Sequence, residues 1–345
     1  MAYTDIDKPT DYFNTKLYTG NSSTQSITGV GFQPDWVWLK SRSNAQGHNL
    51  FDAVRGANKP LFSDDSNAEA TTTDRLSSFD SDGFTLGSNT NVNNTGYTYA
   101  SWNWLADNTS GSSNTDGSIT STVSANTTAG FSIVSYTGNA TNGATVGHGL
   151  NSAPQMVITK NRGGSGDWQV LTNIYPNYSE GDYIYLSATD AKANSVNVSF
   201  LPTSTTWQMK SGQAGNVAST QIAYCFHSVK GFSKFGSYTG NGSSNGPFVY
   251  LGFKPAFFMM KRTDSTGEWK LVDNKRFGYN PSNRVLVPSS SAAEQTDDNI
   301  FDIVSNGIKI RNSGAALNAS GGSFIYMAFA ENPFVTSTGI AGTAR

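Results

Sequence analysis

The residues of this sequence best suited to metal binding or acid–base chemistry are its three histidines, His48, His148 and His227. None of them lies in a short His-x-His or His-x-x-x-His spacing, and the one cysteine, Cys225, cannot supply a thiolate cluster. His148 stands between two glycines, which favours an exposed turn. A metal site would need these distant histidines to converge with carboxylates, so we expect neither a metal nor a cofactor.

Acidic residues form short clusters at 64–65, 80–83 and 297–298. The second cluster begins like a calcium-binding EF-hand loop, but Asn91 stands where the loop would close with glutamate. Asp and Gly also favour turns for conformational reasons alone, and we prefer that interpretation. Calcium binding at one of these turns is left open.

The sequence also carries little sign of a hydrolase. A glycosidase needs two carboxylates that face each other across a sugar. Asp167 and Glu268 occupy matching positions in two parts of the chain, but His48 takes that place in a third. Residues 163–166 match the nucleophile-elbow pattern of serine hydrolases only loosely. We therefore predict a protein that is not an enzyme, without catalytic residues, and keep a polysaccharide-degrading enzyme as an alternative.

A lysine and an arginine recur at the end of three similar apolar segments. The pairs are Lys40 with Arg42, Lys160 with Arg162, and Lys261 with Arg262. Such cations suit an anionic partner, for example a sulfated or acidic polysaccharide. They also suit a scaffold role, in which they cap the strand and hold a neighbouring carboxylate. We favour the scaffold because the lysine is common to all three segments, and we keep the six residues as candidate partner contacts.

Tryptophan is the other residue type that could bind a sugar, because its ring stacks on the apolar face of a pyranose. Most tryptophans should instead lie in the core, since a two-sheet domain needs large side chains between its sheets. These are Trp102, Trp168, Trp207 and Trp269. Trp104 is the exception that we predict to be a glycan contact, because it shares a face with Trp102 but holds the last ordered position before a long polar segment.

The elements that carry these residues repeat along the chain. Tyr-Thr-Gly-Asn begins at Tyr18, Tyr136 and Tyr238, and each copy is followed by a proline and an apolar run that ends in lysine. Landmarks that recur in one order about 100 to 120 residues apart indicate tandem copies of one domain. The predicted domains are residues 1–106, 131–229 and 230–335, with a Ser/Thr/Asn/Gly-rich linker at 107–130 and a flexible tail at 336–345.

Each copy consists of short apolar segments separated by turn residues, which is typical of an all-β sandwich. In the segment at 36–39, both faces of the alternating pattern are apolar, so this strand should be covered on two sides. We predict three tandem antiparallel β-sandwich domains of jelly-roll or lectin-like type.

Composition excludes several other classes. Only 14% of the 345 residues are charged and the net charge is −2, so there is no basic excess for a nucleic acid. No apolar run approaches the ~18 residues that cross a bilayer, which argues against membrane insertion. The first residues do not resemble a signal peptide, so we expect assembly in the cytoplasm.

Several segments resemble a repeated domain in structural proteins of marine tailed bacteriophages. They are residues 31–40, 81–84, 224–229, 235–242 and 326–334. The resemblance implies a virion protein of tail-fibre or tail-appendage type, exposed on the particle and contributing weak multivalent binding to host surface glycans. A capsid-decorating protein on the phage head is the alternative. The implied partners are copies of the protein itself, other virion proteins and host surface polysaccharide.

Overall fold

The computed structural model describes residues 3–211 and 215–342, and for residues 297–299 it describes the backbone alone. Strands make up 43% of the chain and helices 3%, and every pair of named strands is antiparallel, which confirms the predicted all-β sandwich class. None of the helices in the described residues has the length and apolarity needed to cross a membrane.

The strands fall into three consecutive groups, here called the first, second and third units. The first unit begins with a 3-10 helix and contains eight strands and a short α-helix. These elements are the 3-10 helix Pro9–Asp11, β1 (Phe13–Thr19), β2 (Gln25–Thr28), β3 (Trp36–Ser41), β4 (Asn49–Asp52), β5 (Leu61–Phe62), β6 (Leu76–Asp80), β7 (Gly83–Leu86), α1 (Thr90–Asn93) and β8 (Thr98–Trp104).

The second unit contains β9 (Ser112–Asn114), β10 (Ser121–Asn126), β11 (Phe131–Thr137), β12 (Ala144–Gly147), β13 (Met156–Asn161), β14 (Gln169–Thr172), β15 (Asp182–Tyr185), β16 (Ala193–Asn194), β17 (Leu201–Pro202), β18 (Thr206–Met209) and β19 (Thr220–Phe226). The third unit contains β20 (Ser233–Thr239), β21 (Phe248–Tyr250), β22 (Phe253–Arg262), β23 (Lys270–Asp273), β24 (Ser282–Val285), β25 (Gln295–Val304), β26 (Gly307–Ile310), α2 (Ala315–Asn318) and β27 (Ser323–Pro333).

One strand order is common to the three units. In each large sheet the last strand of the unit lies between two other strands of that unit, in the orders β1-β8-β3-β4, β11-β19-β13-β14 and β20-β27-β22-β23. Each small sheet repeats a second order, β2-β7-β6, β12-β18-β17 and β21-β26-β25. Positions can therefore be matched between units by register, and Phe13↔Trp104, Phe131↔Phe226 and Ser233↔Phe329 are equivalent pairs.

The large and small sheets of each unit enclose a core of their own. In the first unit this core contains Val37, Leu39 and Phe84, which lie between β3 and the sheet of β7. The second and third units build theirs from equivalent positions, around Val157 and Met260. These three cores account for one apolar face of each large sheet.

The other faces of the three large sheets meet in one central core. Trp36 of the first unit lies 4.3 Å from Tyr224 of the second, measured between ring centroids. Phe329 of the third unit lies 5.2 Å from Phe13 and 6.0 Å from Phe226. The second apolar face predicted for the strand at 36–39 is thus covered by the neighbouring units. Independent folding of the predicted domains remains an untested prediction, and we expect the units to fold together.

The prediction that residues 107–130 form a linker is wrong, because this segment contains two strands of the second unit. All six residues of β10 pair with β11, and β9 pairs with β10 at the sheet edge. Ile119 and Val123 are buried in the core of the second unit. Strand β10 is paired on both sides, and its backbone hydrogen bonds do not depend on apolar side chains, so the polar residues of the segment do not prevent strand formation.

The predicted flexible tail is also tied to the rest of the protein over the part that the structure describes. The backbone N–H of Ser337 donates to Asp7 Oδ1 at 2.6 Å, and Val335 forms an antiparallel bridge with Ala341. Residues 343–345 of the predicted tail lie outside the described residues.

Candidate functional site

The three recurring lysines lie between units, with at most 1% of each residue exposed. Each ammonium group donates to a backbone carbonyl of the unit that precedes it around the central core. These bonds join Lys40 to Ser291 (3.2 Å), Lys160 to Ser66 (3.0 Å) and Lys261 to Thr189 (2.9 Å). The prediction that these lysines contact a partner is wrong because they are buried, and the scaffold role explains why each unit has one.

Burial has a measurable consequence for these lysines. Loss of hydration lowers the pKa of Lys160 from 10.5 to about 8 in the folded protein. Because the unfolded chain then binds more protons between those two pH values, the free energy of unfolding should rise with pH across that window. A Lys160→Met variant should show a smaller rise than the wild type when both are unfolded in urea at several pH values. Equal slopes in the two proteins would contradict the assignment.

The predicted arginine contacts are also occupied by the protein's own carboxylates. Arg42 binds Glu294 of the third unit with both Nε and Nη2, at 3.0 and 3.1 Å. Arg162 binds Glu69 of the first unit in the same way, at 2.9 Å for both bonds. Arg262 pairs with Asp264 in its own unit. A carboxylate partner was part of the scaffold interpretation, and an external anion would have to displace it.

A fully buried ion pair lies at the interface of the first and second units. Asp52 pairs with Arg55, and neither side chain is exposed. Tyr224 of the second unit donates its hydroxyl to Asp52 Oδ2 at 2.7 Å. Arg55 also reaches Glu69, the partner of Arg162, at 3.1 Å. A continuous polar network therefore joins these two units.

The third unit repeats this arrangement against the first. Asp273 pairs with Arg276, and Trp102 Nε1 donates to Asp273 Oδ2 at 3.1 Å. Burial would raise the pKa of Asp273, but the nearby Arg276 guanidinium holds it below its usual value. At the remaining interface the equivalent positions are Thr172, Tyr175 and Met327, which carry no formal charge. The donor facing the carboxylate is thus replaced by Met327 where the carboxylate is absent.

Trp104 lies in the central core with 1% of its surface exposed, so the prediction of a glycan contact at this residue is wrong. Its ring centroid is 4.3 Å from that of Trp36. The segment after Trp104 folds back as β9 and β10, which is why the end of the apolar run is not an exposed position. The other tryptophans are buried, as expected. Besides Trp102, two of them bind neighbouring units: Trp168 Nε1 donates to Phe62 O and Trp269 Nε1 to Tyr185 O.

The histidines do not form a site. Burial lowers the pKa of all three, and that of His148 falls to about 4. The expectation of an exposed turn at His148 is wrong: the residue is 0% exposed, and its Nδ1 accepts from Leu150 N at 3.1 Å. In the parts of the chain that the structure describes, no group of three His, Cys, Asp or Glu residues is placed to hold a metal ion.

Two carboxylates, those of Asp35 and Asp82, accept hydrogen bonds from backbone N–H groups. Burial raises the pKa of Asp35 to about 6, and its Oδ2 accepts from Ala106 N and Asn108 N at 2.7 and 2.9 Å. Asp82, in the acidic turn at 80–83, accepts the N–H groups of Gly29 and Gly31. Backbone N–H groups therefore satisfy Asp82 and the Oδ2 atom of Asp35, while Asp35 Oδ1 is buried without a hydrogen-bond partner. The side chains of the cluster at 297–298 lie outside the described part of the structure.

A solvent-facing groove remains where the N-terminal segment crosses the start of the third unit. Tyr3 and Tyr250 form its rim, and their hydroxyl groups are 2.7 Å apart. Lys230 Nζ lies 5.2 Å from the ring centroid of Tyr3, and Lys234 Nζ lies 5.1 Å from that of Tyr250. We call this cavity of about 460 Å³ the tyrosine–lysine groove.

The tyrosine–lysine groove combines an apolar floor with positive charge. Phe235 and Leu251 are nearly fully buried beneath it. Its described lining contains two lysines and no acidic side chain, so its potential favours an anion. Tyr250 is 48% exposed and offers a ring face to a ligand.

Sequence reasoning missed this groove because its residues come from segments far apart in the chain. Tyr3 lies ahead of the first repeated landmark, and Lys230 lies at the junction of the second and third units. Neither residue is part of a repeated motif. The pairing of Lys234 with Tyr250 arises only when β20 and β21 are brought together by the fold.

Comparison with known families gives a match over most of the chain. Residues 8–333 match the model of a family described as a domain of unknown function, DUF7483. No curated protein matches the chain, and no solved structure does. The matched region begins in the 3-10 helix region of the first unit and ends with β27 of the third, so it contains all three units. The chain therefore belongs to the DUF7483 family.

Proposed function

We propose that this protein is a structural component of a tailed-bacteriophage particle, in a tail fibre or tail appendage, and that it binds anionic surface polysaccharide weakly through the tyrosine–lysine groove. The place on a particle is supported by the sequence resemblance. Its segments at 31–40 and 326–334 include much of β3 and β27, the strands at the centre of the large sheets. The resemblance thus concerns the scaffold.

The binding half of the proposal is supported by the tyrosine–lysine groove. Two aromatic rings, two lysines and the amide of Gln155 surround one cavity. Rings can stack on sugar faces, while the lysines attract sulfate or uronate groups at long range. Because such contacts are individually weak and exposed to salt, useful affinity would come from many copies on one particle.

Variants of the groove test the binding half. Tyr250→Ala and Lys234→Gln should each weaken retention on immobilised sulfated or uronic-acid polysaccharide about tenfold, or about 1.4 kcal/mol. Retention of the wild type should also fall as salt is raised. Tyr279→Ala is the matched aromatic control, because Tyr279 is 77% exposed and does not line the groove. Equal retention of the groove variants and this control would refute the assignment of the groove.

The particle half has a separate test. Antibody-gold labelling of intact particles should place the protein on the tail. Label on the head would instead favour the capsid-decorating alternative, and absence of the protein from purified particles would overturn the structural role. Incubation with the same polysaccharides, followed by measurement of reducing ends, should show no increase; an increase would favour the polysaccharide-degrading alternative.

A further inference from the structure

The second unit differs from its neighbours at three matched positions above the small-sheet core. In the first unit they are Leu39, Val92 and Tyr99, and in the third they are Met260, Leu317 and Phe324. All six are buried, with at most 4% exposed. In the second unit the same positions hold Thr159, Gly215 and Gln221. Three apolar side chains are thus replaced by two polar ones and a glycine.

The three replacements change what Tyr136 packs against. The tyrosines equivalent to Tyr136 stack on the ring of the facing strand, with centroids 4.9 Å apart for Tyr18–Tyr99 and 4.8 Å for Tyr238–Phe324. Tyr136 faces Gln221 in the same register and has no such ring. A cavity of about 270 Å³ lies here, and Thr159, Gly215 and Gln221 all line it.

Gly215 has φ +88°, and a Cβ atom on it would come within 2.4 Å of the Tyr136 hydroxyl and 2.8 Å of Thr159 Oγ1, so these two side chains fill the place of the missing one. The feature that points to a ligand is Gln221. Gln221 is 0% exposed, yet its Oε1 has no hydrogen-bond partner. A buried acceptor without a donor is costly, and a ligand hydroxyl would supply one.

The rest of the lining has the chemistry of a binding site for neutral polyols. Asn161 and Gln169 bring planar amides, Asp167 brings a carboxylate, and Tyr185 brings a partly exposed ring. Amides and a carboxylate can each engage two adjacent hydroxyl groups, and a ring accepts the apolar face of a sugar. The only cation in the described lining, Lys160, already donates to two backbone carbonyls.

We propose that the second unit holds one neutral pyranose residue in this cavity, with a sugar hydroxyl donating to Gln221 Oε1. The choice of a sugar rests on the proposed function, but the cavity is separate from the tyrosine–lysine groove, with no lining residue in common. The protein would then bind a neutral sugar in this cavity and anionic groups in the tyrosine–lysine groove.

The third unit suggests the test. Gln221→Phe copies Phe324 and should fill the cavity with a ring that stacks on Tyr136. Ligand-observed NMR would be run with methyl α-glucoside, methyl β-galactoside, methyl α-mannoside and N-acetylglucosamine, each on the order of 10 mM, because single-sugar affinities near 1 mM are expected. At least one should bind the wild type, and Gln221→Phe should weaken that binding at least tenfold with an equal or higher melting temperature.

Two further variants keep the result decisive. Gln208→Phe makes the same change on β18 outside the cavity and should bind as the wild type does. Asp167→Ala changes the exposed rim and should also weaken binding, which decides the matter if Gln221→Phe does not fold. Binding of none of the four sugars to the wild type, or unchanged binding in the folded cavity variants, would overturn the proposal. Particle labelling and retention on anionic polysaccharide would be unaffected by that failure.

Discussion

An Arg55→Met variant should lose about 3 to 5 kcal/mol of its free energy of unfolding. The guanidinium of Arg55 is the buried counter-charge of Asp52, and neither side chain is exposed. With arginine gone, Asp52 keeps the Tyr224 hydroxyl and loses its cation, so it must be buried as an uncompensated charge or be protonated. Urea unfolding monitored by tryptophan fluorescence would measure the loss.

Arg262→Met is the control for that loss. Its partner Asp264 lies in the same unit and its side chain is 39% exposed, so the expected loss is about 1 kcal/mol or less. The protein also supplies a rescue, because the equivalent interface of the second unit uses Thr172 in place of the aspartate. Adding Asp52→Thr to Arg55→Met should recover part of the stability. If the double variant is no better than the single one, the loss does not come from the stranded carboxylate.

A Trp36→Ala variant should also lose about 3 to 5 kcal/mol, through the cavity it leaves in the central core. Trp36 is 0% exposed, and its ring contacts Trp104 of its own unit and Tyr224 and Phe131 of the second unit. Because this core is common to the three units, the loss should lower the stability of the whole protein and not that of the first unit alone.

The control for the core variant is Tyr279→Ala, which removes a ring that is 77% exposed. Its free energy of unfolding should change by about 0.5 kcal/mol or less. Limited proteolysis of Trp36→Ala should produce cuts in all three units at similar rates. Cuts confined to residues 13–104, with the other units protected, would contradict the shared core.

Much of the fold could be predicted because it depends on local patterns that recur. The landmark tetrapeptides mark the ends of β1, β11 and β20, and the proline-led apolar runs become β3, β13 and much of β22. Short apolar runs bounded by turn residues identified these segments as strands, and their repetition indicated tandem copies of one domain. The apolar second face at 36–39 also indicated a second covering layer.

The sequence did not predict what covers the second apolar face at 36–39. The pattern of a strand shows that a face is apolar, but it does not show which part of the protein packs against that face. Apolar faces of separate sandwiches and apolar faces that meet at one centre have the same sequence pattern. The segment at 107–130 was misjudged for a similar reason. Its strand β10 lies between β11 and β9 and buries Ser121, Val123 and Ser124, of which only Val123 is apolar, so the polar composition of the segment hides the strand.

The site residues were judged with less success, since a charged or aromatic residue has the same letter whether it binds a ligand or a neighbouring unit. Lys40 and Trp104 appeared able to bind partners, but the fold buries both. For the lysine its repetition was the useful signal, because a role common to all three units is one that the scaffold itself needs. The cavity at Gln221 depends on the opposite kind of signal. It lies at positions where the second unit differs from the other two.

Scanning calorimetry of the intact protein tests most directly whether the three units form one structure around one core. We expect a single transition whose calorimetric and van't Hoff enthalpies agree, and which moves as a whole in Trp36→Ala. Two or three separable transitions, only one of which moves in that variant, would show that the units are independent domains that merely touch.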